Sequence, residues 1–264
     1  MKLTKYKICT DKINRTVKLA CISDLHAHPA DKIIEILRAS APDLILLAGD
    51  ILEISAKYME RRNRHSLRFF EAVSKIAPCY YCFGNHEIYY SHAKFGHSHV
   101  SEPELRKKHM ELIESYGINI INDTYKEVKV GDSTLIIGGL VCGRDMDPSL
   151  DQKEPDLLFL EDFKILNGCK ILMCHYPQYY VRYLQNSDID LVVSGHAHGG
   201  QWRFFGQGIY SPHQGLFPKY TSGVHFGKLV ISRGAVNNSK PIPRLFNPTE
   251  ILEIELCKNK NGVC

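Results

Sequence analysis

VKLACISDLHAHPADKIIEILRASAPDLILLAGD, residues 17–50, is the stretch on which the fold turns. Its opening VKLACIS is a β-rich apolar run. DKIIEILRAS then sets Ile33, Ile34 and Leu37 on one helical face, and DLILLAG is a second apolar run of strand length. Two such strands joined by one amphipathic helix pair in parallel through a right-handed crossover. Each strand also runs straight into polar residues, Asp24-Leu25-His26 after the first and Gly49-Asp50 after the second.

The same alternation continues outward. RHSLRFFEAVSKI carries Phe69, Val73 and Ile76 on one helical face, and CYYCFG (79–84) is a third strand. PELRKKHMELIESYG reads as a helix. INIINDTYKEVKVGDSTLIIGGLVCG then breaks into strands joined by turns at Asn-Asp and Gly-Asp. DLLFLEDFKIL is a helix, CKILMC a strand, PQYYVRYLQNS a short helix and DIDLVVSG a strand; KLVIS and EILEIEL add strands near the C-terminus. There is no internal repeat, low-complexity tract or linker-like shift in composition. The expectation is one α/β domain over residues 1–264, with two stacked, mixed sheets and helices outside.

Bulk composition narrows the function classes. The 264 residues are 44% hydrophobic and 23% charged, which excludes a disordered or fibrous chain. A formal charge of +4 favours anionic ligands but falls short of the loading of a dedicated nucleic-acid binder. No apolar run approaches the ~18 residues that span a bilayer, and MKLTKYKICTDK is too polar for the core of a signal peptide. Nine cysteines at irregular spacing, several inside apolar runs, suit buried thiols in a reducing compartment. The expected location is the cytoplasm, with a peripheral membrane contact left open. Cys79 and Cys82 form a C-x-x-C, but with no second pair they read as part of a buried strand.

Chemistry collects where the strands end. After LACIS come Asp24 and His26, after LILLA comes Asp50, and after CYYCF come Asn85 and His86; His175 follows KILMC, and His196 and His198 follow DLVVS. In open α/β sheets such junctions converge on one cleft. Leaving His86 aside, these seven nitrogen and oxygen donors without a thiolate exceed one tetrahedral zinc. They suit two ions with higher coordination numbers, Mn, Fe, Zn or Co, sharing a bridging carboxylate. Imidazoles among the donors argue against a calcium site. Glycines 49, 84 and 195 precede their ligands and permit sharp turns there.

The ordered set D-x-H, G-D, G-N-H-E, H and G-H-x-H-G-G-Q resembles the calcineurin-like metallophosphoesterases, from about residue 17 to the C-terminus. GGQWRFFGQGIYSPHQGLFPKYTSG, VISRG and PIPRLFNPTEI are similar to the YkuE/YaeI-type bacterial branch. The resemblance implies a four-layer α/β/β/α sandwich of two mixed sheets. It assigns one metal to Asp24, His26, Asp50 and His198, and the other to Asp50, Asn85, His175 and His196. It makes His86 the histidine that contacts the phosphoryl group. Many members read G-D-x-x-D where this chain has Gly49-Asp50-Ile51-Leu52-Glu53, so Glu53 becomes the candidate for orienting His86. An extended His196-Ala197-His198 segment would aim both rings at the metals.

The expected activity is hydrolysis of a phosphate ester, most simply a diester or pyrophosphate, with a lipid-linked substrate in view. Arg144 and Arg233 are candidate phosphate contacts. A nuclease on the same metals would need a basic track, for which Arg61, Arg62 and Arg64 are the local candidates. A non-catalytic metal- or ligand-binding regulator is the alternative from another class, but it has no use for His86. His92, His97 and His99 read as a rim loop beside the site, and Leu216, Phe217 and Tyr220 as an apolar wall or a membrane-dipping segment. No protein partner is evident.

Overall fold

The computed structural model describes residues 1–53, 59–89, 102–142, 154–212, 214–237 and 243–258. Arg144, His92, His97 and His99 lie outside them, as do the side chains of Arg61 and Arg62. In chain order the elements are β1 (Lys2–Thr10), β2 (Val17–Ile22), α1 (Asp31–Ser40), β3 (Leu44–Ala48), α2 (Met59–Ser74), β4 (Cys79–Cys82), α3 (Asn85–Tyr89) and α4 (Glu102–Ser115). There follow β5 (Asn119–Ile120), β6 (Thr124–Val130), β7 (Ser133–Leu140), α5 (Leu157–Lys164), β8 (Cys169–Cys174) and β9 (Leu191–Ser194). Two small ribbons come next, β10 (Arg203–Phe204) with β11 (Gln207–Gly208) and β12 (Tyr210–Ser211) with β13 (Gly215–Leu216). The chain continues through β14 (Gly223–His225), β15 (Leu229–Ile231) and β16 (Glu250–Lys258).

Two six-stranded sheets result, ordered β1-β16-β2-β3-β4-β5 and β14-β15-β9-β8-β7-β6. β2, β3, β4 and β5 pair in parallel, as do β7, β8, β9 and β15; the antiparallel neighbours β16–β2, β6–β7 and β14–β15 make both sheets mixed.

Strand alternation sorts the side chains into two cores. Leu44, Leu46 and Ala48 of β3 join Ile171 and Met173 of β8 in the layer between the sheets. Ile45 and Leu47 turn the other way, onto Ile33 and Leu37 of α1 and Phe69 and Val73 of α2; Leu172 of β8 likewise meets Leu160 and Phe163 of α5. Helices therefore cover both outer faces, and the architecture is a four-layer α/β/β/α sandwich. Cys79 and Cys82 fall in different cores, on opposite faces of β4, so they cannot grip one ion. Among the described residues, seven cysteines are buried free thiols. Cys9 is disulfide-bonded, a departure from the all-thiol expectation.

Helix ends follow local chemistry. In α1, Asp31 in the first turn and Arg38 in the last suit the helix dipole. The helix stops at Ala41, whose left-handed backbone donates to Leu37 O just ahead of Pro42. Asp156 caps α5 by accepting from Phe159 N at 2.9 Å. The polar N-terminal segment gave no strand signal, yet β1 is the edge of its sheet, paired in parallel to β16. Its lysines explain both facts, because charge on an edge strand deters pairing with another chain.

Candidate metal centre

Backbone pairing continues past the strand ends and draws the polar residues together. Asp24 N donates to Gly49 O at 3.0 Å, His26 N to Asp50 O at 2.9 Å, and Gly195 N to His175 O at 3.1 Å. Parallel strands of the first sheet thus deliver Asp24, His26, Asp50, Asn85 and His86. The second sheet delivers His175, His196 and His198 across the interlayer. All but His86 are buried.

Asp24, His26, Asp50, His196 and His198 all have left-handed φ, between 45 and 66°. Non-glycine residues rarely hold that conformation, and it costs about 1–2 kcal/mol per residue. Such strain clusters at sites that the surrounding structure over-determines. It also corrects the expected extended His-x-His. Ala197, between the two histidines, is right-handed (φ −75, ψ −9), and His198 opens a short 3₁₀ turn to Gly200. The imidazoles converge through a tight turn in which each histidine reverses the chain, not through the shared face that positions i and i+2 of an extended run would occupy.

Glycine is required where backbone meets ligand. A Cβ on Gly195 would lie 2.6 Å from both Asp24 Oδ2 and Ser23 Oγ, and one on Gly84 would overlap Asp50.

Among the described residues the donor atoms fall into three groups: Asp24, His26 and His198; Asp50, His175 and His196; and His26, Glu53 and His86, the first and last sharing His26. Within the first, His198 Nε2 lies 3.4 Å from Asp24 Oδ1, and His26 Nε2 faces His198 Nε2 at 3.3 Å. Asn85 joins the second, its Oδ1 2.9 Å from His196 Nδ1. Asp50 Oδ2 stands between them, 3.1 Å from His175 Nε2 and 3.9 Å from both His26 Nε2 and His86 Nε2. Asp50 Oδ1 accepts from His86 N at 2.9 Å.

These residues fit divalent cations. His175 Nε2 is buried, close to Asp50, and makes no hydrogen bond there. A buried ring nitrogen and a buried carboxylate oxygen that face each other at 3.1 Å without hydrogen-bond alignment are placed to share an ion. Facing imidazole nitrogens can both be satisfied by one cation, since each then offers a lone pair. The mixed N and O donors favour a first-row metal over calcium.

Without cations, the buried carboxylates and imidazoles balance one another's charge. Burial opposes charge on Asp50, yet His175, His86 and His26 outweigh it and hold the carboxylate well below its usual range. Burial likewise opposes charge on His86 and His175; carboxylates prevail and raise them to about 9 and about 10. Asp50 acts on both, helped by Glu53 at His86 and by Asp24 at His175. Burial, together with His26 and Arg244, pushes His198 well down, so it is a neutral imidazole suited to ligation.

Glu53 Oε1 lies 2.9 Å from His86 Nδ1, and its Oε2 is 3.5 Å from His26 Nδ1. Its backbone is clamped by Asn63, which accepts from Glu53 N at 3.0 Å and donates to Glu53 O at 3.1 Å. The longer glutamate arm therefore reaches both rings from a fixed base.

Arg233 lines an open cavity of about 430 Å³ with Arg203, Phe204, Phe205 and Phe246. The next residue, Gly234, packs on Asp24, which sets this cavity beside the centre.

Sequence reading missed three supporting residues. Glu87, buried, accepts from the backbone N–H of Asp50, Leu52 and Gly84 at 2.8–2.9 Å and braces two ligand loops. Asn247 donates to His198 O at 2.7 Å, and Arg244 places Nη2 3.0 Å from His198 Nδ1. Glu87 directly follows the motif's histidine and was there to be found. Nothing local marks Asn247 or Arg244, whose roles exist only after β16 returns the chain to the site.

A family model described as calcineurin-like phosphoesterase matches residues 17–200. "Uncharacterized protein YpbG" of Bacillus subtilis is 24% identical over 199 residues, 73% of this chain and 64% of its own. "Uncharacterized metallophosphoesterase Cj0846" of Campylobacter jejuni is 25% identical over 251 residues, 92% of this chain and 60% of its own. The chain thus spans less than two thirds of either relative. A solved structure described as a novel archaeal phosphodiesterase aligns with 90% of this chain and 99% of its own, at 15% identity and a TM-score of 0.43. With its model match covering well over half of the residues, and every strand-end motif inside or next to that span, this chain belongs to the calcineurin-like phosphoesterase family.

Proposed function

We propose that the chain hydrolyses phosphate esters on two divalent cations, as a phosphodiesterase or pyrophosphatase of the YkuE/YaeI-type branch. The observation that carries this reading is the placing of Asp50 Oδ2 between the two ligand groups and within 3.9 Å of His86 Nε2. Asp24, His26, Asp50 and His198 would hold one ion, and Asp50, Asn85, His175 and His196 the other. When bound, the ions supply charge neutralisation for phosphoryl oxygens and acidify a water.

The chain's own groups supply the remainder. His86 is half-buried at the rim, where its Nε2 can hold a proton for the leaving oxygen. Glu53 accepts from His86 Nδ1–H and so fixes the ring's tautomer and direction. A His198 that ligates through Nε2 keeps its hydrogen on Nδ1, and Arg244 must then turn to another acceptor. A phosphate oxygen is such an acceptor, which adds Arg244, whose Nη1 stays on Arg233 O at 2.6 Å, to Arg233 as a candidate phosphate contact. Manganese, a cytoplasmic location and a lipid-linked substrate are finer parts of the same reading. No helix among the described residues is long and apolar enough to cross a membrane.

Hydrolysis of bis(p-nitrophenyl) phosphate and p-nitrophenyl phosphate by manganese-loaded protein, with metal analysis, tests the reading. Turnover of the diester above the monoester supports it. Full metal loading without turnover of either ester favours a regulator, and preference for single-stranded DNA over small diesters favours a nuclease.

A further inference from the structure

The two ribbons carry apolar side chains outward. Phe205 is fully exposed, and Leu216, Phe217 and Phe246 are 70%, 66% and 77% exposed. The segments bearing them are tied together: Arg203 N donates to Leu245 O at 3.0 Å, Phe217 N to Ile209 O at 2.8 Å, and Gln207 Nε2 to Pro218 O at 2.8 Å. They are also tied to the metal centre, through Arg203 Nη1 on Gly199 O and Asn247 on His198 O.

Two further observations bear on what covers this face. Phe205, Phe217 and Phe246 have left-handed backbone, φ 49, 51 and 53°. Phe205-Gly206 forms the two-residue loop between β10 and β11, a position that asparagine or glycine fills without strain. An exposed phenylalanine there gains nothing from burial, so folding does not account for it. The second observation is charge. No aspartate or glutamate occurs between Asp190 and Glu250, a span that contains Arg203, Lys219, Lys228, Arg233 and Arg244.

Protruding rings beside Arg203 and the exposed Lys219, on a stretch of chain that carries no carboxylate of its own, match an anionic lipid surface, where aromatic side chains settle at the headgroup level and each lysine or arginine is attracted electrostatically. A single-stranded nucleic acid would instead need rings lying face-up along a groove. Here Phe205 sits at a turn tip, Phe217 and Phe246 lie at separate bends, and one apolar contributor, Leu216, is aliphatic. We propose that the Phe205, Leu216, Phe217 and Phe246 face docks on an anionic bilayer, holding the metal centre against the headgroups.

Co-sedimentation of the full chain with phosphatidylglycerol–phosphatidylcholine vesicles, and with phosphatidylcholine alone, tests this, using the double variant Phe205→Asn, Phe217→Asn as comparison. Asparagine tolerates left-handed backbone, so the variant keeps the fold. The proposal predicts binding to the anionic vesicles that salt weakens. In the variant that binding falls at least about tenfold, with metal content unchanged and Tm equal or higher. Absence of vesicle binding, or equal binding by the two chains, overturns it. So does a dimer, or retention of a single-stranded oligonucleotide, that the double substitution abolishes; either result would assign the face to that partner. A lower Tm in the variant would also count against it, by showing that the rings serve the fold.

Discussion

Beside single cases such as Ala41 and Asp123, two groups of residues hold left-handed backbone, and they differ in almost everything else. At the strand ends they are buried aspartates and histidines, hydrogen-bonded to one another's loops and directed at common points. On the ribbons and the adjoining 245–247 segment they are phenylalanines, most of them facing solvent. Phe226 is the intermediate case, stacked on Tyr180 at 5.2 Å. Strain in the first group is enforced by surrounding contacts among buried side chains; in the second, backbone bonds such as Phe217 N to Ile209 O fix the chain while the rings stay largely exposed. The contrast separates backbone distorted to assemble a site from backbone distorted to present a surface.

Substitutions can break that distinction. Asp50→Asn should have the largest effect, because the carboxylate serves both ligand groups: metal analysis should show both ions lost, and diester hydrolysis should fall to background. His86→Ala should lower kcat by about 10²–10⁴-fold with metal content retained. Equal loss of metal would make His86 a ligand and undo its separate role. Glu53→Ala should lower kcat by about 10–100-fold, with Glu53→Gln recovering part of it, since an amide oxygen still accepts from Nδ1–H. A Glu53→Ala effect confined to KM would contradict an orienting role. Phe205→Asn is expected to act in the other direction and least, raising stability by about 1 kcal/mol as strain is relieved, read as a higher Tm. A fall in Tm would place Phe205 with the residues that hold the fold.

What the amino-acid sequence discloses by itself follows the same division. β2, β3, β4, β8 and β9 were legible because strands buried on both faces are continuous apolar runs. The polar residue closing each run is out of place in a core, and that made the site legible too. β1 was not, because an edge strand studded with lysines has the pattern of a loop. The turn at His196–His198 was misjudged because nothing in a His-Ala-His tripeptide announces left-handed histidines; that conformation is imposed by Asp24 accepting from His196 N at 3.1 Å and Asn247 holding His198 O. Glu87, Arg244 and Asn247 belong to the same class. Their partners are distant backbone atoms, and such pairings appear only when the layers close.

The most direct test of the dinuclear reading is metal content per chain, by mass spectrometry, for the parent protein and Asp50→Asn purified with manganese and assayed on bis(p-nitrophenyl) phosphate. Two ions per chain with turnover in the parent, and neither in the variant, is the predicted result. A parent chain that binds no more than one ion, or a variant that keeps both ions and its activity, would contradict a bridging Asp50.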